Sequence, residues 1–248
     1  MSVRAPVAGL APGERTLPTE ASHYLCRVLR LREGDRFVAF DPASRTEADA
    51  TVLEASGTAA RVAISEPRVG AVIAEAPVSL VYGLAKGDKV DSVVRDATEL
   101  GATRIAIART ARAVAKVDSE RAGTKVERWR RIAEQAARQC GRADPPVVDG
   151  VVSWGEALEL AARDSDVRFC LWENATVPLG PKLIDALARG ARLAFAIGPE
   201  GGLTEAEVEQ AGALGFEPVS LGPFVLRTET VAAAVLGAIR IVSAAPRR

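Results

Sequence analysis

The 248-residue chain is predicted to be an α/β protein with a mostly parallel sheet, preceded by a small β-rich unit. Short strand-like runs crowd the first 75 or so residues. Strand and helix signals alternate from there onward. Three late runs, VRFCLWE, RLAFAIGPEGG and PVSLGPFVL, each begin as an apolar strand and break at a turn.

In the N-terminal part, TEASHYLCRVLRL reads as a short helix with Thr19 as its N-cap. Leu25, Val28 and Leu29 fall on one face of it. REGD then turns the chain into the strand RFVAF, and ATVLEA and AARVAI follow as two more. This spacing suits a small barrel or sandwich. EPRVGAVIAEAP reads as a connector, which sets a boundary near residue 75 and two domains, 1–75 and 76–248.

VSLVYGLA opens the second domain as an apolar strand. KVDSVVRDATELGA has helical periodicity and stops at Gly101. RIAIART is a strand, and TKVERWRRIAEQAARQCG is the clearest helix. Val126, Trp129, Ile132, Ala133, Ala136 and Cys140 form its apolar stripe, with Arg128, Arg131, Gln135 and Arg138 elsewhere.

Composition narrows the chemistry. The chain is 48% hydrophobic and 26% charged, as in soluble globular proteins. No apolar stretch reaches the roughly 18 residues of a membrane helix, and MSVRAPVAGLAPGERTLP lacks a signal-type apolar segment. A cytoplasmic location without a membrane partner is expected. Cys26, Cys140 and Cys170 are scattered and odd in number, so they read as buried reduced thiols. His23 is the only histidine, which excludes a two-histidine metal site, and no metal is expected. Net charge is zero but uneven. Residues 104–142 carry 11 Lys+Arg against 4 Asp+Glu, whereas 149–220 carry 5 against 12. This suits a basic face for nucleic acid, or two solvated faces that neutralise each other.

IGPEGGLTEAE, residues 197–207, is neither a P-loop nor a G-x-G-x-x-G fingerprint. It follows the strand LAFAI, and Thr204 with Glu207 fits a helix capping box. Glycines there would let a ligand approach the backbone; a tight turn alone is the alternative. LGPFVLRTET repeats the arrangement, leading into the small-residue helix VAAAVLGAI. Arg227, Thr228, Glu229 and Thr230 cluster at that second turn, as a pocket mouth or as a cap with a surface ion pair. Ligands of open α/β sheets bind beyond the carboxyl ends of the strands, so both breaks point at one pocket.

IGPEGGLTEAEVEQA and LGPFVLRTETVAAAVLGAI resemble the closing signature of the SPOUT methyltransferases. The resemblance is to the RsmE type, which methylates uridine N3 in small-subunit ribosomal RNA. HYLCRVLRLREGD, LAKGDKVDSVVRDATELGA and RRIAEQAARQCGR resemble further blocks of that family, in the same order. The resemblance implies a PUA-like RNA-binding β-barrel, an α/β domain with a C-terminal trefoil knot, and a homodimer. It implies S-adenosylmethionine as methyl donor, and 16S ribosomal RNA, within the 30S subunit, as substrate. The donor would contact Leu171, Ile197, Gly198, Pro199, Glu200, Gly201, Gly202, Leu221, Gly222 and Leu226.

Uracil nitrogen is a poor nucleophile while protonated, so the site must remove that proton or stabilise the anion. Arg227 is the candidate for steadying charge on the uracil carbonyls. Glu229 would orient Arg227 or accept the proton, orientation being favoured because pairing with arginine lowers carboxylate basicity. Arg27, Arg30, Arg32, Arg112, Arg138 and Arg142 are candidate phosphate contacts. Two positions depart from the family's usual pattern. Phe224 stands where a basic residue is usual, and Val231 where alanine is. The rival readings are a SPOUT enzyme acting on ribose 2′-hydroxyl or transfer RNA, a non-catalytic RNA-binding or assembly protein, and a phosphate-binding enzyme. The lack of a nearby lysine or of a metal-ligand cluster weakens the last.

Overall fold

The computed structural model describes residues 3–71, 77–113 and 119–243, the side chains of 119–121 excepted. Two compact units are found, Met1–Ile73 with Ala137–Pro145, and Ala74–Ala136 with Pro146–Arg248. The boundary expected near residue 75 lies outside the described residues.

The first unit contains β1 (Arg4–Pro6), β2 (Gly13–Thr16), α1 (Thr19–His23), a π-helical turn (Tyr24–Val28), β3 (Arg36–Asp41), β4 (Thr46–Glu54), β5 (Arg61–Ile64) and β6 (Arg68–Val69). Its sheet runs β1-β3-β4-β5-β2, with β6 paired to β4. Only the β1–β3 pairing is parallel. Phe37 and Ala39, Ala48, Ala50 and Val52, and Val62 and Ile64 alternate inward and meet Leu17, Leu25 and Leu31.

Two expectations for this unit need correction. Thr19 is the first helical residue, not the cap; Pro18 holds the cap position and no side chain caps the helix. Helical spacing also fails after Tyr24. The Leu29 amide bonds to the Tyr24 carbonyl at 2.9 Å, one residue beyond α-helical reach. That wider turn rotates Val28 outward, where it is 57% exposed, while Leu25 stays buried.

The second unit contains β7 (Val78–Gly83), α2 (Lys89–Glu99), β8 (Arg104–Arg109), α3 (Ser119–Cys140), β9 (Val147–Ser153), α4 (Trp154–Arg163), β10 (Val167–Leu171), α5 (Leu179–Ala188), β11 (Leu193–Ile197), α6 (Glu205–Ala213), β12 (Phe216–Val219) and α7 (Thr228–Ser243). The sheet order is β12-β10-β11-β7-β8-β9, parallel throughout. The chain builds outward from β7 to β9, then crosses to β7's other side. The reversal makes β7–β11 a topological switch point.

The two sheet faces differ in side-chain size. Leu80, Tyr82, Ile105, Ile107, Phe169, Phe195 and Ile197 pack on α2, α3, α5 and α7. Each such large apolar side chain contributes about 1.5–3 kcal/mol when fully buried. The opposite face is built of Val81, Ala106, Ala108, Cys170, Ala194 and Ala196, which leave room for α4 and α6. Burial pushes the Cys170 thiol up to about 12, so it remains protonated.

Local signals explain the helix ends. Gly101 has φ +96° just past α2; its amide bonds to Thr98 and that of Ala102 to Ala97, closing a Schellman motif. Thr204 caps α6 and Glu207 returns the bond to the Thr204 amide, at 3.2 and 2.9 Å. Ser153 and Glu156 cap α4 in the same way. The strand β9 and helices α4 and α5 were not anticipated, although Ser153-x-x-Glu156 was a usable signal.

Candidate cofactor cleft and catalytic loop

Strands β10, β11 and β12 end side by side at Leu171, Ile197 and Val219. Beyond these carboxyl ends the chain leaves the sheet in three loops, which enclose a cleft of about 260 Å³. Leu171, Ile197, Gly198, Pro199, Glu200, Gly201, Gly202, Leu221, Gly222 and Leu226 all line it. Trp172, Glu173, Leu203 and Val219 complete its walls, and Phe224 and Val225, 81% and 88% exposed, belong to its outer lining.

The glycine turn closes with a bond from the Gly202 amide to the Pro199 carbonyl, at 2.9 Å. Its bareness is demanded first by the protein itself. A β-carbon on Gly198 would stand 2.8 Å from Leu203 Cγ, one on Gly201 2.8 Å from the Arg112 carbonyl oxygen, and one on Gly202 2.6 Å from Glu173 Oε1. Gly202 also has φ +72°. The expectation that these glycines make way for a ligand is therefore incomplete: they make way for neighbouring protein, and the backbone so packed forms the cleft wall.

The cleft suits S-adenosylmethionine. Aliphatic side chains offer a slot for a flat, uncharged base, and main-chain atoms of the turn offer donors and acceptors for its edge. Glu173, exposed and without a hydrogen bond or ion pair among the described residues, puts a carboxylate on the cleft wall.

Arg227 lies between two lining residues, Leu226 and Thr228, with its side chain exposed. Its carbonyl accepts from the Val231 amide at 2.9 Å, in the first turn of α7. Its guanidinium forms no hydrogen bond or ion pair among the described residues. The favoured Glu229–Arg227 pairing is thus not formed. Glu229 instead accepts from Thr228 Oγ1 at 3.2 Å and faces Lys89 Nζ at 3.6 Å.

Lys89 also reaches Glu200 Oε1, at 3.2 Å, so a lysine does stand beside the glycine turn in space. It is shared between two carboxylates, which leaves it a poor phosphate ligand. Burial pushes the Glu200 carboxyl up, but bonds from its own amide and that of Lys86, with the Lys89 ammonium, outweigh this and hold it below the usual carboxylate range. Below the cleft, the buried Tyr82 hydroxyl and Thr228 Oγ1 are 2.8 Å apart. Burial pushes the Tyr82 phenol up to about 12, the Thr228 bond opposing it only in part.

The arginines divide. Arg27, Arg30 and Arg32 are exposed on the first unit. Arg138, half-buried there, holds its guanidinium 4.8 Å from the Tyr24 ring. Arg142 corrects the expectation: it is 2% exposed, with Nε donating to Asp144 Oδ1 at 3.0 Å and Nη2 to the Asp144 carbonyl at 2.7 Å. A guanidinium so enclosed cannot meet a phosphate. Arg112 is exposed, yet it donates to the Gly201 and Leu203 carbonyls at 3.4 and 3.3 Å and so braces the glycine turn.

Sequence reasoning overlooked Gly83, Lys89, Tyr82 and Glu173. Lys89 lies in the LAKGDKVDS block that carried part of the resemblance, but nothing local marks its distant partners.

Residues 74–240 match the family described as RNA methyltransferase domain, and residues 17–65 the RNA methyltransferase PUA domain. The chain belongs to this RNA methyltransferase family. It is 31% identical to the ribosomal RNA small subunit methyltransferase E of Bacillus subtilis (strain 168), over 89% of this chain and 87% of that one. Identity with the Synechocystis protein of the same name is 34%, over 90% and 72%. Among solved structures, the ribosomal RNA small subunit methyltransferase E of Neisseria gonorrhoeae, bound to S-adenosyl methionine, superposes with a TM-score of 0.85 at 27% identity and 98% coverage of both chains. The methyltransferase domain of this family corresponds to the parallel α/β unit and the PUA domain to residues within the first. Among the described residues no group of three or more His, Cys, Asp and Glu could hold a metal, and no helix is long and apolar enough to cross a membrane.

Proposed function

We propose that this RNA methyltransferase transfers a methyl group from S-adenosylmethionine to N3 of one uridine in 16S ribosomal RNA. Methylation of small-subunit ribosomal RNA rests on the relatives of that name and on the cofactor-bound relative. The uridine N3 position rests on the resemblance of the sequence blocks to the RsmE type. The observation that carries the reading is the convergence of the glycine turn and the second turn on one cleft at the ends of β10–β12.

S-adenosylmethionine supplies an activated methyl on a sulfonium. The protein is left to position the acceptor and manage its charge. Leu171, Ile197 and Leu226 would hold the adenine base, with main-chain donors and acceptors of residues 198–202 available to it. Glu173 favours the cationic donor over its neutral product. The N3 proton would pass to solvent water, and the free guanidinium of Arg227 would stabilise the negative charge left on the uracil carbonyls. Glu229, engaged by Lys89 and Thr228, secures the start of α7 rather than Arg227 itself.

A C-terminal trefoil knot, a homodimer, a cytoplasmic location and action on the assembled 30S particle complete the proposal. The exposed Arg27, Arg30 and Arg32 supply phosphate contacts, consistent with a PUA domain.

The test is to incubate the pure protein with labelled S-adenosylmethionine and unmodified 30S subunits, then digest the RNA and separate nucleosides by mass spectrometry. Label in 3-methyluridine is expected. Label in a 2′-O-methyl nucleoside would move the reaction to ribose, and no label would remove it.

A further inference from the structure

Lys89 opens α2, away from both cleft loops in sequence, yet its ammonium meets a carboxylate from each. Glu200 belongs to the glycine turn at the end of β11, and Glu229 to the first turn of α7. All three side chains are one-quarter to one-third exposed, so the pairs are screened less than fully solvated ones. The backbone joins in, since the Lys86 amide donates to the same Glu200 oxygen at 3.1 Å. On the far side, Glu229 also accepts from Thr228, whose hydroxyl meets the buried Tyr82 at the end of β7. The chain of contacts therefore runs from the glycine turn through Lys89 to Glu229, Thr228 and the sheet.

We infer that Lys89 is a positioning residue that sets the cofactor turn and the Arg227 loop in register with each other. Without it two carboxylates, Glu200 and Glu229, would converge on one place with no cation between them and repel. Each loop would then move by itself. Lys89 acts on the donor through Glu200 and on the acceptor side through Glu229, so it controls both binding and turnover. This rests on the methyltransferase reading given above for the cleft.

The experiment compares wild type, Lys89→Met and Lys89→Arg. Hydrogen exchange of the cofactor-free protein is read at amides 200–202 and 228–231, S-adenosylmethionine binding by calorimetry, and turnover on 30S subunits. Lys89→Met is expected to speed exchange in both segments together, weaken donor binding about tenfold and lower kcat by a similar factor. Lys89→Arg, which keeps the charge and the reach, restores most of each. A cycle of Glu200→Gln and Glu229→Gln read by donor affinity is expected to be non-additive with Lys89 present, whereas in Lys89→Met either single change relieves the carboxylate repulsion and recovers affinity, and the double change adds little beyond it. Exchange that changes in only one segment, an additive cycle in the wild-type background, or no rescue by arginine would overturn the inference. Failure of the wild-type protein itself to bind the donor would overturn the methyltransferase reading instead.

Discussion

Gly83, the last residue of β7, approaches Pro199 so closely that a β-carbon on it would stand 2.5 Å from the Pro199 nitrogen. The first strand of the unit thus sets the height of the glycine turn. Gly83→Ala must push that turn outward, and a stability loss of about 1–3 kcal/mol is expected from overpacking, with weaker donor binding. Gly180→Ala is the control, because nothing lies within 4 Å of its would-be β-carbon. In α5 that change is expected to be neutral or stabilising by under about 1 kcal/mol. Urea unfolding of both variants, with calorimetry against the donor, checks the contrast.

Arg227→Ala is expected to lower turnover on the order of 10²- to 10³-fold, as for loss of a charge-stabilising donor. Its exposed guanidinium braces no other part of the described structure, so donor affinity and melting temperature stay near wild type. Single-turnover kinetics and calorimetry separate the two effects. Near-normal turnover would remove Arg227 from the mechanism.

Tyr82 makes alkaline stability a readout of the loop's anchorage. The folded phenol titrates at about 12, above its ordinary value of 10, so between those values the folded state keeps a proton that the unfolded chain releases. Stability therefore falls as pH rises from about 10 to 12. Tyr82→Phe is expected to reduce the pH slope there by up to about one proton. At neutral pH it costs about 1 kcal/mol for the lost Thr228 bond. Denaturation midpoints across that pH range measure it.

The arginines call for different assays. Binding to 30S subunits is expected to weaken steeply with salt, and Arg27→Ala to reduce the slope by about 0.7–0.9. Arg142→Ala acts on folding instead. It breaks the buried Arg142–Asp144 ion pair and is expected to cost about 3–5 kcal/mol. A flat salt response would argue against a basic footprint on the first unit.

What could be read from sequence was local. Thr204 and Glu207 lie three residues apart, and Gly101 follows its helix directly, so capping chemistry announced both ends. What could not be read depended on distant residues meeting. Glu207 also accepts the Ala111 amide at 2.7 Å and through its carbonyl holds Trp154 Nε1 at 3.0 Å, neither of which its helix reveals. Arg142 looked like one more member of a basic run, and only packing against Asp144 removes it from the surface. The π-helical turn at Tyr24 obeyed no periodic pattern, so Val28 was assigned to the wrong side. The cleft-lining loops were legible because glycine and proline mark them; Lys89 was not, because ion pairs across loops leave no spacing signature.

The central claim is that main-chain atoms at the ends of β10, β11 and β12 hold a sulfonium donor beside Arg227. A crystal structure of the protein with S-adenosylmethionine tests it most directly. The account requires the adenosyl group to lie between residues 198–202 and 221–226, with the methyl directed toward Arg227. Donor bound at any other place, or absent from crystals at saturating concentration, would contradict it.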